Sequence, residues 1–182
     1  MAAFDKRTLQ RLRVPLGFLF AAVFLVFAKP TAFSLMIGGG IALVGVAIRV
    51  WASGHIRKAS VLAVTGPYAY TRNPLYVGSL IMGVGFTVAA NVWWLALVFL
   101  ALFIGIYLPV MRVEAGDMRR IFGRDFDEYE REVPLLIPRF TPWKKTGGKF
   151  ELALYLQYRE YRAAIGAMVA LGILAAKAYF LD

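Results

Sequence analysis

Five apolar runs separated by basic stretches constrain the fold of this chain more than any motif it carries. They cover residues 14–28, 32–52, 75–90, 92–111 and 163–181, and a helix crossing a bilayer needs about 20 mostly apolar residues. At 182 residues, 60% of them hydrophobic, and a mean hydropathy of +0.63, the chain is too apolar for an ordinary water-soluble domain. The prediction is an all-α integral membrane protein with about five transmembrane helices and a pocket at its cytoplasmic face. Only Ala90-Asn91 separates the third run from the fourth, so these two must form an antiparallel hairpin. Asn91 is expected to cap the fourth helix, and Trp93 and Trp94 suit an interfacial aromatic belt. Gly38-Gly39-Gly40 and Gly45 in the second run are read first as positions of close helix packing.

Charge gives the orientation. Threading five spans with the N-terminus inside leaves only Lys29 and Lys177, of 21 Lys and Arg residues, on the far side. The positive-inside rule then puts the remaining basic stretches in the cytoplasm. A net charge of +10 admits nucleic acid as a partner, but the basic residues flank apolar runs, so membrane lipids with anionic headgroups fit better and no nucleic acid is expected. A bacterial inner membrane is preferred to an endoplasmic reticulum, and the oligomeric state stays open. The basic start followed by an apolar run imitates a signal peptide. No small-residue cleavage site precedes Lys29-Pro30, so the run is expected to be a retained first helix. There is no cysteine and one histidine, His55, which removes disulfides, a cysteine nucleophile, a histidine metal cluster and any metal site from the expectations. His55 itself reads as a headgroup contact.

The stretch from Gly66 to Gly85 carries the first chemistry. Arg72 precedes Asn73-Pro74, and Pro74 suits the first turn of a helix, where its missing N–H costs nothing. A permanent cation and the free N–H groups of a helix start therefore meet at one point, which suits a carboxylate or a phosphate. A snorkelling arginine explains the same spacing. Tyr68, Tyr70 and Tyr76 can stack on a planar ligand or simply sit at the interface, and Gly78, Gly83 and Gly85 thin one helix for a ligand or for a neighbouring helix.

From Arg112 to Lys149 charge returns. Glu114 is the acid nearest the apolar part of the fourth helix, and an acid there needs a partner. It is a functional candidate or half of a salt bridge with Arg112 or Arg119. Pro109, one turn earlier, is expected to kink the helix. Gly123 suits a helix end, and Asp125 with Glu128 suits a capping box opening a short helix that has Phe126, Tyr129 and Val133 on one face. The acids from Asp125 to Glu132 read as a solvated face. Thr146-Gly147-Gly148 looks like a joint before a last helix over 150–181, amphipathic first and then apolar, where Arg159-Glu160-Tyr161-Arg162 is an interfacial anchor or a visitor to the pocket and Lys177 can snorkel. The residues alone support a cytoplasmic-face site for an anionic ligand and no particular reaction.

Gly66-Pro67-Tyr68, Arg72-Asn73-Pro74-Leu75-Tyr76, Gly78, Glu114, Phe122-Gly123, Tyr129 and Ile137-Pro138 together resemble the isoprenylcysteine carboxyl methyltransferase and phospholipid methyltransferase superfamily over about residues 60–140. The resemblance implies an integral membrane enzyme that uses S-adenosyl-L-methionine and a lipophilic acceptor, an isoprenylcysteine-like carboxylate or a lipid amine. It implies Arg72 and Glu114 as catalytic residues, and Tyr68, Arg72, Asn73, Pro74, Tyr76, Gly83, Gly85 and Glu114 as the cofactor site. Asn73 stands where the family carries histidine, and Ala115 follows Glu114 where the family often repeats glutamate. The implied organisation is one membrane domain over 1–182, with two N-terminal spans in 14–52, a methyltransferase-like core in 60–140 and a C-terminal amphipathic and transmembrane helix in 150–181. The alternatives are a sterol-type reductase using a reduced nicotinamide dinucleotide, which would need more spans, and a non-catalytic membrane scaffold.

Overall fold

A computed structural model of the chain describes residues 6–56, 61–144 and 148–180, with side chains from residue 15 onward. Arg57, Lys58, Lys145, Thr146 and Gly147 lie outside the described residues, as do the side chains of Lys6, Arg7, Arg11 and Arg13. The described regular elements are all helical: α1 Lys6–Phe27, α2 Ala32–Ser53, a 3-10 turn Gly66–Ala69, α3 Pro74–Ala90, α4 Trp93–Phe122, α5 Arg124–Glu132, α6 Leu152–Gln157 and α7 Tyr161–Phe180. Three of them, α2, α4 and α7, are long and apolar enough to cross a membrane, while the apolar parts of α1 and α3 are shorter. Phe18, Phe33, Met36, Leu97, Ile104 and Val169 face outward, exposed on helices whose polar surface is too small to keep them in water. They suit contact with lipid.

The α2–α3 pair is the centre of the bundle, and glycine makes it. Gly38 and Gly45 lie two turns apart on one face of α2, and Gly85 and Gly78 lie two turns apart on the facing side of α3. A Cβ on Gly85 would stand 2.6 Å from the Gly38 carbonyl oxygen and 2.8 Å from Ala42 Cα, and one on Gly45 would stand 2.6 Å from the Gly78 carbonyl oxygen. The two backbones therefore touch directly. Ser34 bonds the far end of the seam, its Oγ donating to the Ala89 carbonyl at 2.9 Å. Arg49 bonds the near end, donating to the Leu75 carbonyl at 3.3 Å and to Ser79 Oγ at 2.5 Å.

Around this pair, α3 and α4 form the predicted hairpin, but Asn91 plays a different part from the one expected. It sits at φ 55° in the left-handed region and ends α3, while Val92 occupies the cap position of α4 without a side-chain bond. A two-residue reversal needs one such residue, and asparagine tolerates it. At this end Phe24, Ala28, Ala89, Ala90, Leu95 and Leu174 form a buried cluster joining α1, α3, α4 and α7. Lys177 points its ammonium back to the Leu25 and Val26 carbonyls at 2.7 and 2.9 Å, closing the C-terminus of α1.

Other boundaries move as well. The fourth helix does not stop where charge begins: α4 continues through Glu114 to Phe122, with Pro109 inside it, because amphipathic turns beyond the apolar run can pack on α5. Gly123 ends it at φ 53°, as its sequence position suggests. The Asp125–Glu128 capping box does not form, since α5 follows at once with Gly123 as its cap position and no side-chain cap bond. The expected face of α5 is buried, with Phe126, Tyr129 and Val133 all at or below 3% exposure. The single last helix is two, α6 and α7, broken where Arg159 adopts φ 55°.

Candidate functional site

The Gly-Pro-Tyr turn and the start of α3 are anchored by the segment that follows α5. Residues 69–72 run beside 134–143: the Arg72 N–H donates to the Pro134 carbonyl at 2.9 Å, Arg139 N–H to Tyr70 at 3.0 Å, and Trp143 N–H to Ala69 at 3.0 Å. Thr71 Oγ1 donates to the Leu136 carbonyl at 3.1 Å. Asn73 Nδ2 donates to the Leu135 carbonyl at 3.0 Å, so its amide ties two loops together and does not cap α3. The Arg72 guanidinium pairs with Glu130 of α5, which Arg119 also engages. Arg72 Nε is buried without a partner.

The second group of predicted residues meets on the other side of the α3 start. Tyr76 OH donates to the Glu114 carboxylate, 3.1 and 3.2 Å from its two oxygens, bridging the first turn of α3 to α4. Glu114 is thus tied to Tyr76, and Arg119, one of its expected partners, is committed to Asp127 at 2.8 Å and to Glu130. The Tyr76 ring lies 5.3 Å from Tyr107. Tyr68 is 6% exposed, and its hydroxyl is buried without a hydrogen-bond partner. Burial pushes that hydroxyl far above the usual tyrosine range, with Tyr129, Glu160 and Glu114 adding to the shift and Arg49 opposing it. Tyr129 OH donates to the Tyr68 carbonyl at 2.7 Å and is also held neutral by burial, against the lowering effect of Arg72.

A cavity of about 480 Å³ enters the apolar part of the bundle between α1, α2, α3, α4 and α7, and reaches Tyr107, the ring partner of Tyr76. Phe20, Phe24, Met82, Phe86, Phe99 and Phe103 line its depth, and Arg49, Ser79 and Tyr107 are polar groups in its wall. Gly83 belongs to this wall, where a Cβ would meet the Phe99 ring. Gly85 faces α2 instead, in the glycine seam.

Of the residues predicted from the sequence, Glu114 bonds Tyr76 and lies within electrostatic reach of Tyr68, Arg72 and Asn73 face the 130–136 segment, Pro74 is buried at the start of α3, and Gly83 and Gly85 point to different neighbours. His55 packs near Trp51 and Phe150 and against Gly66, and its Nδ1 lies 2.9 Å from the Trp51 carbonyl. Sequence reasoning misses two participants and leaves a third open. Glu130 falls in what the sequence presents as a solvated face, and only the period of α5, which sets it four residues after Phe126 and three before Val133, could single it out. Arg49 lies near the end of the second apolar run and counts there only as a topological charge. Glu160 was one option within a charged tetrapeptide, and it reaches Arg49 at 2.6 Å. Among the described residues no cluster of three or more His, Asp or Glu could hold a metal ion.

Two relatives show what the chain is similar to. It is 35% identical over 108 residues to the nickel-cobalt-cadmium resistance protein NccN of Alcaligenes xylosoxydans xylosoxydans, covering 58% of this chain and 49% of that protein. It is 32% identical over 111 residues to the cobalt-zinc-cadmium resistance protein CzcN of Cupriavidus metallidurans, covering 60% of this chain and 50% of that protein. The chain thus spans about half the length of these relatives, whose names state a resistance and no reaction. No solved structure matches it. The profile of the phospholipid methyltransferase family matches residues 33–125, from the start of α2 through the Gly-Pro-Tyr turn, the α3–α4 hairpin and Glu114 into α5. With just over half of its length matched, the chain belongs to the phospholipid methyltransferase family.

Proposed function

We propose that this protein transfers a methyl group from S-adenosyl-L-methionine to a lipophilic acceptor, an isoprenylcysteine-like carboxylate or a lipid amine, at the cytoplasmic face of a membrane. One observation carries the reading: in a chain of this family, the Tyr76–Glu114 pair adjoins Tyr107, which lines a cavity rich in aromatic rings, and Arg49 in the same wall acts electrostatically on the buried Tyr68 hydroxyl. A polar cofactor and an apolar acceptor need such neighbouring compartments. The residues fit the cofactor's chemistry, since the Tyr68 hydroxyl and Arg72 Nε are buried donors that the protein leaves unpaired, and Glu114 offers a carboxylate to a cationic ligand. The proposed cofactor set is Tyr68, Arg72, Asn73, Pro74, Tyr76, Gly83, Gly85 and Glu114, with Arg72 and Asn73 acting largely by fixing the loop and Gly85 by letting α3 lie against α2.

S-adenosyl-L-methionine, when bound, supplies an electrophilic methyl group on a sulfonium. In-line displacement needs alignment more than a strong base, so most of the work falls to positioning. Tyr76 would hold the Glu114 carboxylate in place, where it could pair with the cofactor's amino group or sulfonium. The aromatic walls exclude water from the acceptor chain. An ionised carboxylate acceptor needs no base, whereas an ammonium must lose a proton, and Glu114 would be the base for it. The proposed topology counts α1 and α3 as spans beside α2, α4 and α7, with the N-terminus cytoplasmic, in a bacterial inner membrane. The proposed organisation is a single membrane domain, since the core over 60–140 is packed along its whole third helix against α2.

Calorimetric titration of the purified full chain with S-adenosylhomocysteine and with a reduced nicotinamide dinucleotide tests the reading. Binding of the first and not the second is expected. The reverse would replace the methyltransferase by a reductase, and binding of neither would leave the scaffold reading.

A further inference from the structure

Arg49 is the one charged side chain among the described residues that line the cavity. An arginine beside an apolar compartment in a membrane helix is costly unless it has work there, and this one is held in place. Its Nη1 donates to Ser79 Oγ at 2.5 Å and to the Leu75 carbonyl at 3.3 Å, both on α3, which the glycine seam keeps against α2. Its Nη2 donates to Glu160 Oε2 at 2.6 Å. Arg49 Nε is buried and unpaired. The buried, unpaired Tyr68 hydroxyl feels the charges of both Arg49 and Glu160, so the same region holds a second unspent donor.

The partners of Arg49 differ in how readily they can leave. Ser79 and the Leu75 carbonyl belong to a helix packed backbone to backbone. Glu160 arrives from the break between α6 and α7, next to the left-handed Arg159, and its side chain keeps 18% of its surface exposed. Ala163, Ala170 and Ile173 of the helix that follows it form one wall of the cavity. An oxyanion at the head of an apolar chain carries the same charge as the Glu160 carboxylate. It could take that place without leaving a buried cation unpaired, and could also accept from Nε.

We propose that Arg49 is the headgroup-binding residue of the cavity: it takes the carboxylate or phosphate end of a lipophilic ligand in exchange for Glu160, which latches α7 across the cavity when the ligand is absent. This rests on the reading that the cavity receives the acceptor, and it gives that acceptor an anionic group. Equilibrium dialysis of the full chain in a non-ionic maltoside, with labelled N-palmitoylglycine, palmitoyl lysophosphatidic acid and neutral palmitoylethanolamide, tests it. The wild type should bind at least one anionic probe about tenfold more tightly than the neutral one, a difference of about 1.4 kcal/mol, and the tighter of the two identifies carboxylate or phosphate. Glu160→Gln should tighten that probe several-fold and leave the neutral one unchanged. Arg49→Gln should abolish the preference and Arg49→Lys should keep part of it.

Equal binding of all three probes by the wild type, or weaker anionic binding by E160Q, would overturn the proposal. Should R49Q fail to fold, E160Q and R49K decide. Titration of the same preparation with S-adenosylhomocysteine separates the two readings. An anionic preference without cofactor binding would remove the methyltransferase and keep the Arg49 site, and cofactor binding without the preference would do the reverse.

Discussion

Replacing Gly85 by alanine asks whether this glycine serves the cofactor or the fold. The added Cβ would lie 2.6 Å from the Gly38 carbonyl oxygen and 2.8 Å from Ala42 Cα, about 1 Å inside the ~3.5–4.0 Å optimum for such contacts. Both neighbours are backbone, so no side chain can turn away and the helices must separate. Overpacking costs about 1–3 kcal/mol, and a gap of 0.5–1 Å along the rest of the seam forfeits a quarter to a half of each contact there. The better helix propensity of alanine returns at most about 1 kcal/mol. The net expectation is a loss of about 2 kcal/mol. Gly105→Ala is the control, because nothing lies within 4 Å of its Cβ position and only the propensity gain should appear. Unfolding of both variants in maltoside micelles, followed by circular dichroism, gives the difference, and S-adenosylhomocysteine titration of the surviving folded protein gives the affinity. A G85A protein as stable as the wild type but unable to bind would refute the packing argument and place Gly85 at the ligand.

The remaining predictions concern the polar end. Tyr76→Phe, which removes the 3.1 Å partner of the Glu114 carboxylate, should weaken S-adenosylhomocysteine binding by about 10- to 100-fold, the effect of losing a charge-assisted hydrogen bond of ~1.5–3 kcal/mol, and Glu114→Gln should weaken it further by calorimetry. A double-mutant cycle on Arg72→Met and Glu130→Gln should return a coupling of about 1–3 kcal/mol in denaturation midpoints, because the pair joins the start of α3 to α5. Tyr129→Phe removes a buried 2.7 Å hydrogen bond to the Tyr68 carbonyl and should cost about 1–2 kcal/mol. The same tyrosines set an alkaline limit. Folding raises both pKa values, so above the usual ~10 the unfolded chain gives up protons that the folded one keeps, and stability should fall as pH rises from there. Y129F should make that fall shallower in pH-dependent melting.

The helices were legible because lipid leaves so few solutions: an apolar run of near-bilayer length must be a helix, and Ala90-Asn91 is too short for anything but a reversal. Their ends were less legible, since they depend on partners that a sequence does not name. Residues 112–122 lie beyond the apolar run, and they continue α4 because Ala115, Met118 and Phe122 pack on α5. Arg159 takes a left-handed conformation that its residue type does not announce. At the site, Tyr76 and Glu114 could be singled out because each is a polar group beside an apolar run. Arg49 could not, since its meaning depends on Glu160, 111 positions away in the chain. Gly85 admits two readings, a ligand or a neighbouring helix, and only the position of α2 shows which neighbour it touches.

Transfer of labelled methyl from S-adenosyl-L-methionine into an organic extract of membranes containing the full chain tests the central claim most directly. The account predicts label in a lipophilic product with the wild type, and little or none with Glu114→Gln in protein that still elutes as a folded species. Persistent absence of labelled product with wild-type protein that binds S-adenosylhomocysteine, across extracts rich in carboxylate and amine lipids, would contradict it.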